Sequence, residues 1–449
     1  MASGAAGSLA TLDDLLAKDW KNMPERGGVP ITVPGAMHAW EYLVRKFGQL
    51  EFKEVLAPAI KYAYEGFPVS PVIAEIWNLL VPDVLKNKDA LDVFSVSGRA
   101  PNKGEIIKNP QLAQIFTTVG EEGVDAFYKG DIARAIVETV QEYGGFLTLK
   151  DLADHETKET RPIFVNYRGM DVYEHPPNGQ GMAVLEMLNL MEEFDFSRYS
   201  ALDADRYHIM IEAKKLAYAD LHQFNADPEF FDIPLETLLA KQYAKQRATL
   251  IDLAKAMPVP SPGLNLGEDT IYLVTADGEG RAVSFINSLF MGFGSGLVAK
   301  GTGIKLQNRG SLFSLDPKHP NKYEPGKKPF HTIIPGALYK EKVFQGVFGI
   351  MGGSHQAQAH AQFVSNIVDY RMSPQEALEY PRFHHEQEPN TLALENGIPS
   401  NIQGKLRKRG HNLIHESMAN FGGGQAIFAM NGVWIAGSDP RKDGQAAGF

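Results

Sequence analysis

The arrangement in the sequence with the clearest chemical potential is a threonine, Thr270, directly after Asp269 at the head of a short apolar run. A threonine hydroxyl is a weak nucleophile unless a base lies beside it. If the chain is cut between these two residues, the new α-amine lies on the same residue as the hydroxyl and can take up its proton. An α-amine titrates at about 7.7–8.0 in model peptides, so it can be neutral and basic under working conditions. The pair therefore indicates an N-terminal threonine nucleophile, with an ordinary strand-starting threonine as the alternative.

A pair of adjacent glycines, Gly352 and Gly353, is the second candidate, because it follows an apolar run and precedes Ser354. Without a Cβ, the backbone N–H groups of such a pair can face a bound oxyanion. One donor of this kind can stabilise the transition state of acyl transfer by about 3 kcal/mol. A tight turn between a strand and a helix produces the same pattern, so both interpretations stay open here.

The elements that would position these residues are a hairpin and the segment before it. Residues 271–276 and 282–289 are short and rich in β-branched and aromatic side chains, and Asp-Gly-Glu-Gly at 277–280 supplies the turn. Residues 257–266 contain three prolines and predict a linker, which suits a junction whose new ends must separate; a plain connecting loop is the alternative.

The rest of the chain changes character near Thr270. Apolar periodicity and turn residues predict mainly helices before it and mainly strands after it, which favours an α+β fold. The predicted helices are 37–47, 54–65, 149–153 (capped by Thr148), 182–193, 203–224, 358–368 and 374–379, and strand character covers 164–174, 343–351, 425–430 and 433–436.

Many short segments, in order along nearly the whole chain, resemble the γ-glutamyltranspeptidase family of N-terminal-nucleophile hydrolases. Members of that family are made as one precursor that cleaves itself before a threonine. The resemblance implies a four-layer αββα sandwich, with residues 1–269 as a large subunit and 270–449 as a small one, together one domain. The matching segments are GRAPNKGEIIKNPQLA (98–113), EEGVDAFYKGDIARAI (121–136), YRGMDVYEHPPNGQG (167–181), DTIYLVTADGEGRAVSFINS (269–288), FGSGLVAKGTGIKLQNR (293–309), GIMGGSHQAQ (349–358) and SDPRKDGQAAGF (438–449).

The resemblance also assigns roles to individual residues. Thr270 would be the nucleophile, Asp269 would supply the carbonyl attacked in self-cleavage, and Gly352 and Gly353 would form the oxyanion hole. Ser288 stands where the family has a threonine that hydrogen-bonds near the nucleophile. His331 and Thr332 stand where it has two serines that hold a substrate carboxylate, although a histidine beside an apolar run is also a common core residue.

Several positions depart from the well-studied transpeptidases. Phe290 replaces an asparagine, and Ser311 and Leu312 replace an acidic pair that reads the substrate amine. Arg309 replaces a glutamine, and its guanidinium could grip a carboxylate through two hydrogen bonds or serve the fold. The Gln-Asn-Arg-Gly pattern at 307–310 resembles a side branch that includes oxamate-type amidohydrolases. The resemblance further implies an N-terminal segment before Ser3 and, close to Ser3 itself, an arginine that binds the substrate carboxylate. The first arginine here is Arg26, so we expect a shortened chain, either a truncated one or a shortened branch of the family.

Composition narrows the classes of partner. Of 449 residues, 44 are basic and 54 acidic, and the net charge of −10 argues against nucleic acid or an anionic membrane surface. No apolar run reaches about 18 residues, and the first residues lack the pattern of a secretion signal, so we expect a cytoplasmic protein. The chain has no cysteine, and its histidine pairs (384 with 385, 355 with 360) lack zinc-site spacing, so we expect no metal and no cofactor.

The leading hypothesis is a self-processing threonine amidohydrolase that cleaves γ-glutamyl, glutathione-like amides through an acyl-enzyme and favours hydrolysis over transpeptidation. One alternative keeps the chemistry but changes the substrate to another small acid-amide, of the oxamate kind. A second alternative is a non-catalytic remnant. The expected partners are a small-molecule substrate and the two subunits from one precursor, with a dimer of such pairs left open.

Overall fold

The computed structural model describes residues 1–258 and 269–449, and residues 82–84, 269, 418 and 419 through their backbone only. The described residues form two compact units. Unit 1 comprises Met1–Thr160 and Leu289–His331, and unit 2 comprises Arg161–Ser288 and Thr332–Phe449. The bond between residues 269 and 270 lies inside unit 2, which therefore takes residues from both predicted subunits. Most of the predicted linker, residues 259–266, lies outside the described residues.

Unit 1 is helical. Its elements are α1 (Leu12–Leu16), α2 (Ala36–Phe47), α3 (Phe52–Glu65), β1 (Phe67–Pro68), α4 (Pro71–Val84), α5 (Lys88–Phe94), β2 (Ile106–Ile107), α6 (Pro110–Glu122), α7 (Asp125–Lys129), α8 (Asp131–Glu142) and α9 (Leu149–Ala153).

Local signals set the ends of these helices, as the sequence predicted. Helix α2 stops at Gly48 and α3 at Gly66. Thr148 is the N-cap of helix α9. Its hydroxyl accepts from the N–H of Asp151 at 3.1 Å, and the Asp151 carboxylate accepts from the N–H of Thr148 at 2.8 Å. This reciprocal capping satisfies two backbone donors that a helix start otherwise leaves open. Residues on the apolar faces of α6–α9 then form the main core of the unit.

Unit 2 is built on a six-stranded antiparallel sheet, whose strands lie side by side in the order 433–438, 423–430, 343–351, 336–340, 170–174 and 163–167. The strand character predicted over 164–174 is divided between two strands, because Arg168 and Gly169 take positive φ angles of 52° and 87° and reverse the chain. Two such residues form the two-residue hairpin turn that matches strand twist. The sheet strands are β3 (Ile163–Tyr167), β4 (Met170–Glu174), β7 (Gly336–Lys340), β8 (Val343–Met351), β12 (Gly423–Met430) and β13 (Val433–Ser438).

Helices cover one face of this sheet. Residues from Gly181 to Met191 are buried on every side, which is typical of a central helix without a polar face. The remaining elements of the unit are α10 (Gly181–Glu192), α11 (Ala204–Phe224), α12 (Leu235–Leu238), α13 (Lys241–Ala248), β5 (Asp269–Ala276), β6 (Ala282–Phe290), α14 (His355–Tyr370), α15 (Pro374–Glu379), β9 (Phe383–Glu386), β10 (Thr391–Leu394), α16 (Ser400–Lys408) and β11 (Leu413–Ile414).

The predicted hairpin, β5 with β6, packs on the other face of the sheet. On β8, the Phe348 ring stacks on Phe363 of α14 with centroids 5.0 Å apart, so Phe348 points to the helices. Its neighbour Gly349 points the opposite way, where a Cβ would lie 2.5 Å from the Tyr272 ring of β5. Gly349 therefore makes room for the hairpin against the sheet, and this contact positions the start of β5. Among the helices of the described residues, none has the length and apolar character that a bilayer crossing requires.

Candidate active site

Thr270 lies at the second position of β5, with only 5% of its surface exposed. Its buried neighbour on the strand is Tyr272, whereas Ile271 between them is 66% exposed, so the alternation of a strand turns the threonine inward. The Thr270 hydroxyl lies 3.0 Å from the hydroxyl of Ser288 on β6, and either oxygen can donate. The structure thus brings together two of the predicted site residues. The side chain of Asp269 lies outside the described residues.

Gly352 and Gly353 form the turn between β8 and α14. Their φ angles are 133° and 47°, a region that side chains other than glycine rarely adopt. A Cβ on Gly352 would also approach the Cα of Gly422 to 3.0 Å. The turn therefore requires glycine for the backbone path as well as for any oxyanion contact. It places two adjacent backbone N–H groups just before a 16-residue helix, whose N-terminal end favours negative charge.

Two buried glutamines connect this turn to Thr332. Gln180 precedes α10, and its side-chain nitrogen donates to the carbonyl oxygens of Thr332 at 2.5 Å and Gly353 at 2.6 Å. Gln356, with its amide oriented so that donors face acceptors, donates to the Thr332 carbonyl at 3.1 Å and accepts from the Gly353 N–H at 3.2 Å. The sequence reasoning missed both residues. The available signal for Gln180 was its position in the glycine-rich Pro-Pro-Asn-Gly-Gln-Gly turn.

Arg309 and His331 belong to unit 1. Arg309 is 3% exposed and begins a short 3-10 turn, and its guanidinium carbon lies 4.6 Å from the centroid of the Phe290 ring. Such a cation–π contact orients the guanidinium and holds it near an apolar surface. His331 is 8% exposed. The predicted carboxylate-binding residues thus divide between the units, with Thr332 in unit 2.

A buried lysine, Lys214, is connected through Tyr218 to Ser354, the residue after Gly353. Lys214 on α11 contacts His385 Nδ1 and Gln387 Oε1, each at 3.2 Å, and its Nζ is 3.9 Å from the centroid of the Tyr218 ring. The Tyr218 hydroxyl donates to the carbonyl of Ser354. Complete burial lowers the pKa of Lys214 to about 7. Lys214, whose pKa lies near neutral pH, is therefore connected to the glycine turn through the side chain of Tyr218.

His384 is a buried cation in the same unit. Burial by itself would lower its pKa, but contacts with Glu386 at 2.8 Å and Glu416 at 2.7 Å raise the pKa to about 9. Nδ1 of His384 forms a hydrogen bond with Glu416, and Glu386 lies within ion-pair distance of Nε2.

His208, Glu212 and His411 form a buried group of residue types that can bind metal ions, and their ligand atoms lie within 4.8 Å of one another. The sequence reasoning missed this group. His208 Nε2 faces the Asp252 carbonyl at 2.9 Å, so it carries the proton, and Nδ1 accepts from His411 Nε2 at 2.8 Å. Glu212 lies 2.8 Å from Lys215 Nζ. This ammonium provides a positive charge at the carboxylate of the group.

The profile of the Gamma-glutamyltranspeptidase family matches residues 1–449. The chain is 36% identical to the Glutathione hydrolase-like YwrD proenzyme of Bacillus subtilis strain 168, and 32% identical to the Oxamate amidohydrolase proenzyme of Klebsiella pneumoniae, covering 100% of this chain and 86% of each relative. The crystal structure of cephalosporin acylase from Bacillus halodurans superposes with a TM-score of 0.94 at 40% identity, covering 100% of this chain and 84% of that one.

Proposed function

The chain belongs to the gamma-glutamyltranspeptidase family, and on this premise we propose that it is an amidohydrolase that cleaves itself before Thr270 and uses that threonine as its nucleophile. Its relation to N-terminal-nucleophile hydrolases is established, and the predicted α+β fold, the αββα sandwich of that class, is confirmed by the likeness to the acylase structure. The observation that carries the nucleophile assignment is the buried Thr270 hydroxyl 3.0 Å from Ser288.

Self-cleavage would begin with attack of the Thr270 hydroxyl oxygen on the carbonyl carbon of Asp269. The C–N bond between the two residues breaks, the nitrogen leaves as the new α-amine, and an ester joins the residues. Water then hydrolyses the ester, leaving a carboxylate on residue 269 and a free amine on residue 270. The names of two relatives as proenzymes support processing of this kind.

In the processed protein, the α-amine of Thr270 would act as the general base for its own hydroxyl. The alkoxide attacks the substrate amide, and the N–H groups of Gly352 and Gly353 would hold the resulting oxyanion, with the Gly353 hydrogen shared between the oxyanion and the side-chain oxygen of Gln356 at 3.2 Å. Collapse of the intermediate expels the amine and leaves an acyl ester on Thr270. Water then releases the acid. Ser288 would hydrogen-bond to the nucleophile throughout.

The substrate we propose is a γ-glutamyl amide of the glutathione kind, with hydrolysis favoured over transfer to an amine. A second candidate is a small acid-amide, favoured by Arg309 in the position where well-studied relatives have a glutamine. Thr332, His331 and Arg309 would contribute to binding the substrate carboxylate. A non-catalytic remnant is the third possibility. The relatives named as a glutathione hydrolase-like protein and an oxamate amidohydrolase support the first two classes alike.

A denaturing gel with N-terminal sequencing tests the central step. Cleavage yields bands of about 30 and about 20 kDa, the shares of 49.5 kDa that residues 1–269 and 270–449 represent. The smaller band should begin Thr-Ile-Tyr-Leu. Thr270→Ala should remain a single chain, whereas Thr275→Ala, the same change at an exposed position of β5, should be processed normally. Cleavage at the same bond in Thr270→Ala would show that another protease makes the cut.

Assays of the processed protein then separate the substrate classes. The panel should contain γ-glutamyl-p-nitroanilide, glutathione, oxamate and a neutral amide of similar size. Turnover of the first two supports the γ-glutamyl assignment, and preferential turnover of oxamate supports the second candidate. A processed or unprocessed protein without activity on any of them would favour the remnant.

A further inference from the structure

We propose that Gln180 is a positioning residue that sets the distance and orientation between the Gly352–Gly353 turn and the segment that begins at Thr332. The inference rests on the proposed function, in which the turn holds the oxyanion and Thr332 helps to bind the substrate acid. Gln180 would act on the reaction through these backbone segments and would not touch the substrate.

The side-chain hydrogen bonds of Gln180 are made by its amide nitrogen. This atom donates to the Thr332 carbonyl at 2.5 Å and to the Gly353 carbonyl at 2.6 Å. The primary amide of a glutamine has two hydrogens, so both are used. The residue is completely buried, and its contacts are 152 and 173 residues away along the chain. One side chain therefore joins three separate parts of unit 2.

The two peptide planes that meet at Gly353 are both held. The Gln180 side chain donates to the carbonyl of Gly353, and this carbonyl is part of the peptide bond between Gly353 and Ser354. Gln356 accepts from the N–H of Gly353, which belongs to the peptide bond with Gly352, at 3.2 Å. Backbone bonds also hold these planes: the His355 N–H donates to the Gly352 carbonyl at 2.9 Å, and the Gln356 N–H donates to the Gly353 carbonyl at 3.2 Å. The two glutamines add side-chain bonds on both sides of the Gly353 Cα, where a glycine gives the backbone its widest freedom. The direction of the Gly353 N–H therefore depends on the glutamines together with these backbone bonds.

The same two glutamines also hold the Thr332 carbonyl, Gln180 at 2.5 Å and Gln356 at 3.1 Å. An acyl substrate with an acid group must fit both segments at once, its acid at Thr332 and its carbonyl oxygen at the glycines. A fixed distance between the segments would preorganise the site for one spacing of acid and amide. The Oε1 atom of Gln180 has no hydrogen-bond partner among the described residues, so its burial has a cost that the two donated bonds must offset.

The test uses Gln180→Met, which keeps the length of the side chain and removes both donated bonds. In processed enzyme we expect kcat to fall about 10- to 100-fold, since misplacement of reacting groups by about 1 Å can cost that much. The KM should change by less than about threefold, which is less than the expected change in kcat, because the substitution removes no contact with the substrate. A kcat within threefold of the unchanged protein would overturn the proposal.

Gln180→Glu provides a second readout, the pH profile. A buried carboxyl between two carbonyl oxygens has a raised pKa, and only its protonated form can donate. Activity relative to the unchanged protein should therefore increase as the pH falls. A pH-independent ratio would mean that the donated bonds do not matter and would contradict the proposal.

Asn225→Leu is the matched control. Asn225 is buried, and its side chain donates at 3.0 Å to the carbonyl of Asn178, which belongs to the same turn as Gln180. Among the described residues, Asn225 forms no hydrogen bond with Thr332 or Gly353. It should lose stability with kcat unchanged within about threefold. If it lowers kcat as much as Gln180→Met, a general loosening of the turn explains both effects and the inference is wrong.

Hydrogen exchange separates this inference from the proposed function. The backbone amides of residues 352–354 should exchange faster in Gln180→Met than in the unchanged protein, whether or not the protein is an enzyme. Faster exchange with no amide hydrolysis by the unchanged protein would leave the positioning role standing and refute the proposed function. Unchanged exchange would refute the positioning role even if the protein is active.

Discussion

Replacing Ser288 with alanine tests the contact made by the proposed nucleophile. The two hydroxyl oxygens lie 3.0 Å apart, and Thr270 is 5% exposed, so water would replace the lost partner poorly. Only the part of an interaction that strengthens in the transition state affects kcat. A neutral hydrogen bond contributes about 0.5–1.5 kcal/mol and one to a charged oxygen about 1.5–3 kcal/mol. The difference, about 1 kcal/mol, corresponds to a decrease of roughly fivefold in kcat.

The assay is the single-turnover release of p-nitroaniline from γ-glutamyl-p-nitroanilide by fully processed enzyme. Ser288→Thr keeps the hydroxyl and should stay near the unchanged rate. Ser284→Ala is the matched control, because it removes a hydroxyl pair on the same strand, Ser284 with Tyr272 at 2.6 Å, that does not involve Thr270. The reasoning fails if Ser288→Ala reacts at the unchanged rate, or if Ser284→Ala slows the reaction equally.

Three further results are expected. Arg309→Gln should lower kcat/KM for carboxylate-bearing amides by roughly 10- to 150-fold, the effect of losing about 1.5–3 kcal/mol of charge-assisted binding, while leaving self-cleavage intact. An unchanged preference for acidic over neutral amides, or a failure to process, would show that Arg309 serves the fold. Adding glycylglycine should raise leaving-group release less than about threefold, or about 0.6 kcal/mol, because the sequence shows no dedicated acceptor site; a larger increase would contradict the preference for hydrolysis. His384→Gln should destabilise the protein most at low pH. The folded pKa of His384, about 9, lies above its ordinary value of 6.5, so its stabilising effect is complete below pH 6.5 and is lost as the pH rises through 9. The difference in unfolding midpoint between the two proteins should narrow over that interval, and a constant or widening difference would exclude a charged His384.

Much of the local structure could be predicted because its causes lie close together in the chain. Strand β8 and helix α15 have the predicted bounds, Val343–Met351 and Pro374–Glu379. The cap at Thr148 was predicted from residue type and is made with Asp151, three positions away. The missed turn at Arg168–Gly169 interrupts a run of strand-forming residues, where arginine gives no local sign of a positive φ angle.

For the site, residue type and spacing, together with the family resemblance, were enough to select the candidates: Thr270 at the head of a hairpin, Ser288 on its second strand, and the glycine pair after an apolar strand. The side chains that contact these candidates from distant parts of the chain became apparent from the fold. Gln180 meets Gly353 across 173 residues, and Lys214 meets His385 across 171. Such contacts depend on the order in which strands pair and helices pack, and these long-range choices leave no periodic pattern in the chain. The sequence could therefore name the candidate groups, while packing determined what holds them.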